Sequence, residues 1–162
     1  MAGSHAADPR ATCANMFSIR SFHPEDARAV CELAKSSPEA AQWSEQTYQQ
    51  LGELGIRAWV STTGGLIDGF LMARTIVPEA EILNVAVAGA QRRNGIATAL
   101  LAEAENAIRI QQVNRLFLEV RKSNEGAIAF YRKRGFAKSG TRPRYYCNPV
   151  ESAVLMEKEL TV

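Results

Sequence analysis

No stretch of the 162 residues approaches the length of an apolar membrane span, and the N-terminus has no apolar core of the kind a secretory signal carries. The chain is therefore read as cytoplasmic, with no membrane partner. Cysteine is scarce: Cys13, Cys31 and Cys147 are scattered, with no C-x-x-C and no histidine at metal-ligand spacing. That excludes a zinc module, so no metal is expected, and it predicts reduced thiols. An excess of one charge is lacking too, since 19 Lys+Arg against 17 Asp+Glu leave a formal net charge of +2. Such a balance argues against direct binding of nucleic acid or an anionic surface as the main business of the chain. Two familiar phosphate turns are also missing: there is no G-x-x-x-x-G-K-[ST], and no G-x-G-x-x-G follows a strand candidate. Internal repeats and low-complexity segments do not occur.

What the sequence does have is a hydrophobic content of 46%, enough at this length for one compact core. Residues 1–15, MAGSHAADPRATCAN, read as an extension or tag remnant with Met16 as a natural start, and residues 16–162 as a single domain. Charge is unevenly placed: from Gln91 to Tyr146 there are twelve Lys+Arg against four Asp+Glu. A polyanionic small molecule accounts for that excess as well as an RNA would.

The organising stretch is Glu81 to Leu101, EILNVAVAGAQRRNGIATALL. Ile82, Leu83, Val85, Ala86 and Val87 form a short run apolar on both faces, as an interior strand of a covered sheet must be. Then Arg92-Arg93-Asn94-Gly95-Ile96-Ala97 gives a basic turn in which Gly95 permits close approach or unusual backbone and Ala97 stays small. Ala97, Leu100, Leu101, Ala104 and Ile108 recur at helical spacing, so the turn delivers bare N–H groups at a helix N-terminus, where an anion is favoured. Strand, anion-binding turn and helix follow in series.

Elsewhere the pattern predicts an opening strand Phe17 to Arg20 and a helix from Pro24 with Val30, Leu33 and Ala34 inward. A short helix is expected at Ser37-Pro38-Glu39, and another over Glu45 to about Leu54 capped by Ser44. Ala58 to Ser61 and Leu66 to Val77 read as a hairpin about Thr63-Gly64-Gly65, with Gly69 marking a bulge. Leu116 to Val120 is a second apolar strand, spaced for a right-handed crossover and so a parallel neighbour of the first. Asn124 caps a helix over Gly126 to Arg134 that Gly135 stops, and Phe136 to Tyr146 and Ser152 to Leu160 close the sheet. The class implied is α/β with a mixed sheet.

The turn pattern R-x-x-G-x-A and the later segment LEVRKSNEGAIAFYRKRGF resemble, in that order, the two signatures of the GNAT superfamily of N-acetyltransferases. With WSE upstream and RPRYY downstream, the likeness covers nearly the whole chain after Met16 and is closest to RimI-type ribosomal-protein alanine N-alpha-acetyltransferases. The resemblance implies a GNAT fold, a central mixed sheet whose two parallel strands splay apart and are flanked by helices, with acetyl-CoA entering the gap and the acceptor peptide approaching from the other side. It implies that Val85, Ala86 and Val87 pair with the pantetheine arm and that Arg92, Arg93, Asn94, Gly95, Ile96, Ala97 and Thr98 wrap the pyrophosphate. Asn124 also contacts the cofactor. Glu119 matches the general base and Tyr131 the general acid; Trp43, Tyr145 and Tyr146 flank the acceptor site. The implied partner is a protein or peptide N-terminus, possibly of a ribosomal protein, and the implied assembly a monomer or weak dimer.

Structural readings stand beside these roles. Glu119 shares a face with Arg121 and reads equally as its ion-pair partner, Tyr131 as a core aromatic, Asn124 as a helix cap and Trp43 as a core plug. Tyr145 and Tyr146 alternate, so both cannot face one pocket by direction alone. Arg132, Lys133 and Arg134 read as a solvated helix end. Three departures from the family pattern stand out: Ala97 in place of a second glycine, Gly89 where a proline is common, and Ser152 in place of an acidic residue. Two other functions remain open, an acetyltransferase for small amines or lysines and a non-catalytic acyl-CoA sensor.

Overall fold

The computed structural model describes residues 16–161; the extension read at residues 1–15 lies outside them. Among the described residues eleven strands and α-helices follow one another, besides two 3-10 turns at Pro24–Asp26 and Gly89–Gln91: β1 (Phe17–Ser21), α1 (Ala27–Lys35), α2 (Glu45–Gln49), β2 (Ile56–Thr63), β3 (Leu66–Ile76), β4 (Glu79–Val87), α3 (Ile96–Arg109), β5 (Arg115–Arg121), α4 (Glu125–Arg132), β6 (Ala137–Tyr146) and β7 (Glu151–Glu159). The seven strands form one sheet in the order β1-β2-β3-β4-β5-β7-β6. Every pairing is antiparallel except β4 with β5. The crossover through α3 makes that pair parallel, as its length requires.

Helices cover both faces. On one, Ile96, Leu100, Leu101, Ala104 and Ile108 of α3 pack with Trp59, Leu71, Ala80, Ile82, Leu116 and Leu118. On the other, Val30, Leu33 and Ala34 of α1 and Tyr48 of α2 pack with Val60, Phe70, Met72 and Ala86. β4 serves both cores because it carries a bulge. Its register with β3 runs Ala73↔Ile82 and then Met72↔Asn84, leaving Leu83 as the extra residue. One inserted residue exchanges the faces of everything after it. Ala80 and Ile82 therefore face α3 while Asn84 and Ala86 face α1.

The bulge expected at Gly69 is present one residue before it, at Asp68, between Ser61↔Gly69 and Thr62↔Ile67. Gly69 itself is a close-approach site: a Cβ there would meet Ile96 Cγ2 at 2.8 Å, so the start of α3 lies directly on it. Two helix expectations are corrected. Ser37-Pro38-Glu39 forms a turn, because Ser37 Oγ turns back to the Leu33 carbonyl at 3.1 Å and closes α1. The carbonyls of Ala34, Ser37 and Ala40 are instead taken up by the side-chain amide of Gln42. α2 ends at Gln49 rather than near Leu54, where Gly52 and the left-handed Gly55 (φ +68°) lead into β2. Asp26 makes a two-point ion pair with Arg20 at 2.7 and 2.9 Å and accepts the His23 backbone N–H at 2.8 Å, tying β1 to α1.

The feature that positions the site is the parallel pair. β4 and β5 stay in register only from Glu79↔Arg115 to Ile82↔Leu118. Beyond that point β4 runs on to Val87 and β5 to Arg121 without pairing, so the strands part and leave the inner edge of β4 from 83 to 87 free.

Candidate active site

Two clefts open at this parting. One, of about 650 Å³, is lined by Val85, Ala86 and Val87 of β4, by the turn and first residues of α3, and by Phe130, Tyr131 and Arg134. The other, of about 610 Å³, lies between the Pro38–Trp43 loop, the ends of β4 and β5, and the Tyr145–Tyr146 segment. Val85, Asn124, Ala127 and Tyr131 line both, so the clefts meet where the strands separate.

The first cleft gathers arginines and an uncapped helix start. Gly95 caps α3 at φ +84° and Arg93 stands at φ +65°, a tight left-handed passage that swings the chain into the helix. No side chain caps α3, so the N–H groups of its first turn remain as donors toward the cleft. A Cβ on Gly95 would touch nothing within 4 Å, so the glycine is required by its backbone angle and by the open space a ligand would fill. Arg92 lies 3.8 Å from Glu39 and also reaches the Val87 carbonyl at 3.3 Å. All seven residues from Arg92 to Thr98 except Asn94 line this cleft; Asn94 instead bonds Gln91 at 3.2 Å.

Arg134 departs from the solvated helix end expected of it. Its guanidinium lies 3.7 Å over the Phe130 ring, donates to the Phe130 carbonyl at 2.9 Å and donates to Thr98 Oγ1 in α3. It thus spans from the end of α4 to the first turn of α3 along the cleft wall. Neither a helix-end pattern nor the family signature reveals this, because it depends on the distance between two helices far apart in sequence.

Asn124 caps α4 by accepting the Ala127 N–H at 3.1 Å while also lining both clefts. Tyr131, 8% exposed, stands edge-on to Phe130 and Phe136 with centroids at 5.1 and 5.4 Å. Burial pushes its pKa up to about 12, so its hydroxyl stays a proton donor at neutral pH. It is a core aromatic by its ring and a cleft residue by position.

In the second cleft Glu119 is half-buried, with Arg142 Nε at 2.8 Å from its Oε1. Arg121, its expected partner on the same face, pairs with Glu151 at 3.4 Å and lies 4.3 Å over Tyr146. Tyr145 and Tyr146 both line this cleft, against the expectation from alternation. The register of β6 breaks between Arg142 and Tyr146, with Arg144 at φ +52°, and the two rings meet edge-on at 5.1 Å. A hydrogen bond to Glu119, then burial, raise the Tyr145 pKa above a tyrosine's ordinary value. Glu81 is a further carboxylate here; burial, then the charge of Glu119, push its pKa upward. The sequence passed over Glu81 and Arg142 because nothing local distinguishes them from strand-face charges.

Trp43 is half-buried on the opposite wall and packs on Tyr48 at 5.6 Å. Asn84 holds that wall in place: its side chain exchanges hydrogen bonds with Ala41 N–H at 3.0 Å and Ala41 carbonyl at 2.9 Å. Among the described residues no group of three or more His, Cys, Asp or Glu could hold a metal ion. No described helix is long and apolar enough to cross a membrane.

A sheet opened at its parallel pair over an uncapped helix start is the arrangement of an acetyltransferase of the GNAT type, and the chain belongs to the acetyltransferase (GNAT) family, whose model matches residues 24–136. It is 31% identical over 144 residues to the bS18-alanine N-acetyltransferase of Escherichia coli K12, covering 87% of this chain and 96% of that one. The likeness to a putative enzyme of the same description from Bacillus subtilis is 28%, over 85% of this chain and 92% of its relative. The crystal structure of the E. coli ribosomal-protein-S18-alanine N-acetyltransferase superposes with a TM-score of 0.81 at 28% identity, covering 91% of this chain and 96% of that one. Ard1 from Thermoplasma volcanium gives the same TM-score at 29% identity, covering 90% and 99%.

Proposed function

We propose that this enzyme transfers the acetyl group of acetyl-CoA to the α-amine of a protein N-terminus that begins with a small residue, most often alanine. The observation that carries the reading is the meeting of the two clefts at the strand parting, with Tyr131 and Asn124 on both and Glu119 on the acceptor side. The first cleft suits acetyl-CoA: the free edge at Val85, Ala86 and Val87 can pair with the pantetheine amides, and Arg92, Arg93, Gly95, Ile96, Ala97 and Thr98 surround a pyrophosphate, with Asn94 shaping the turn and Asn124 at the inner end. All these residues come from one chain, so a monomer or weak dimer suffices. The relatives named for acetylating the alanine of ribosomal protein bS18 support a ribosomal acceptor.

The chemistry follows from the two walls. An α-ammonium has a pKa near 8, more than two units below a lysine side chain, so a carboxylate such as Glu119 can take its proton, directly or through water, at modest cost. The amine nitrogen forms a bond to the thioester carbonyl carbon and the carbon–sulfur bond breaks. Tyr131 donates its proton to the departing thiolate, giving CoA, and the acylated nitrogen releases its second proton to solvent, from which Tyr131 regains one while Glu119 gives its proton up. Trp43, Tyr145 and Tyr146 confine an extended peptide beside the first Cβ.

The test compares peptides differing only at the first residue, with acetylation read by mass spectrometry. Ala-starting peptides are expected to react well above those starting with a large residue or carrying only an internal lysine. Equal or faster reaction of the blocked-terminus lysine peptide overturns the acceptor assignment.

A further inference from the structure

We infer that Arg134 is a phosphate-binding residue for the nucleotide end of the coenzyme, and that its bond to Thr98 holds the guanidinium in place until phosphate arrives. The inference rests on the reading of the first cleft as the acetyl-CoA site and extends it to a residue outside the turn. A guanidinium has five N–H donors. Arg134 commits one at each of two nitrogens, to the Phe130 carbonyl and to Thr98 Oγ1, while its Nε is buried and unpartnered. Donors remain on both terminal nitrogens, and the group lines the cleft together with Arg92 and Arg93.

Stacking on Phe130 fixes the plane of the guanidinium and fills one of its faces. Fixing the plane of a forked donor before the anion arrives lowers the ordering cost of a two-point phosphate contact. Thr98 is in the first turn of α3, so Arg134 brings positive charge to the place where the helix already offers bare N–H groups. The acidic residue lining this cleft, Glu39, is 3.8 Å from Arg92 and leaves Arg134 unneutralised among the described residues. A surface arginine with no ligand role would gain little from this immobilisation, because an exposed guanidinium is better served by water and rotamer freedom.

The parent, Arg134→Gln and Arg134→Lys should be titrated by calorimetry with CoA and 3′-dephospho-CoA, and with pantetheine by displacement of CoA. Arg134→Gln is expected to weaken CoA about tenfold, the loss of one charge-assisted contact. Arg134→Lys should recover part of that loss, and pantetheine, which has no phosphate, should bind all three proteins alike. If the defect disappears with 3′-dephospho-CoA the contact is to the 3′-phosphate; if it persists the contact is to the pyrophosphate. Either supports the inference. CoA binding unchanged in Arg134→Gln overturns it while leaving the cleft assignment intact. An equal loss for pantetheine also overturns it, showing that Arg134 only braces the cleft walls. A parent that binds no CoA removes the cleft reading and this inference together.

Discussion

In the proposed mechanism Tyr131 and Glu119 divide the proton traffic between them, and their surroundings predict different failures. Tyr131→Phe removes the donor without opening the core, so turnover should fall on the order of a hundredfold while CoA affinity stays within about twofold. Because burial holds its pKa at about 12, that loss should be independent of pH through the neutral range. Glu119→Gln should instead shift or abolish the acidic limb of the pH–rate profile, and a variant that keeps the parental limb would remove Glu119 as base. Tyr48, buried in the opposite core, is also pushed up to about 12, chiefly by desolvation. Both tyrosines ordinarily ionise near 10. Their folded-state pKa values are raised, so the stability linked to their neutral forms is fully present below pH about 10 and is lost as pH rises toward 12. Urea unfolding measured across that window should show the decline, and Tyr131→Phe should lessen it. Asp26 titrates the other way: the Arg20 hydrogen bond, opposed by burial, holds its carboxyl below the ordinary value. Its contribution is present above pH about 4 and disappears as pH falls through that lowered pKa.

Among the elements, α3 is seated by two glycines with different jobs. Gly69→Ala places a Cβ 2.8 Å from Ile96 Cγ2 and should cost about 1–3 kcal/mol by overpacking, read as a lower denaturation midpoint with normal slope. A Cβ at Gly95 meets nothing within 4 Å, but Gly95→Val must adopt φ +84°, about 1–2 kcal/mol for a residue with a Cβ, and its side chain would occupy open space that the ligand needs. CoA binding should therefore fall at least tenfold in Gly95→Val and stay near parental in folded Gly69→Ala. Calorimetry on the two variants separates the jobs. The strand-turn-helix around Gly95 was legible because its residues are contiguous and each agrees with the next: apolar run, basic turn, glycine, helical repeat. The same holds for Glu119, Asn124 and Tyr131, which lie on one strand-to-helix passage. Tyr145 and Tyr146 were misread because their facing depends on one irregular residue, Arg144, in a strand whose sequence alternates normally. Arg134, Arg142 and Glu81 acquire their places from partners 36, 23 and 38 positions away, at Thr98 and Glu119, and no local pattern encodes such proximity. The missing helix at Ser37 fails for a related reason, since a distant-looking glutamine, Gln42, supplies the hydrogen bonds that a helix would have made internally.

At the scale of the molecule, the parallel pairing followed from two apolar strands joined by one long helix, and the parting of that pair from the family likeness; the order of the remaining strands did not, because it rests on pairings between distant segments. Where the parallel ladder ends did not: it stops at Ile82, the residue before the Leu83 bulge, which no local pattern announces. That ladder runs for only four residue pairs, from Glu79↔Arg115 to Ile82↔Leu118. In its hydrogen bonds the sheet is thus two plates, β1 to β4 and β5 to β7, sewn by one short seam, with the α3 core packed across both. Local opening costs less than global unfolding where pairing partners are few, so the unpaired edges beyond the seam are expected to open first. A ligand that pairs with β4 beyond the seam would act as a splint, lengthening the stitched region without a change of fold. Hydrogen exchange should then show those amides of residues 83–87 and 119–121 that face the gap exchanging well before those of β3 in the free protein, and those of 83–87 slowing selectively when CoA is added. Uniform protection before and after would mean that the plates already move as one.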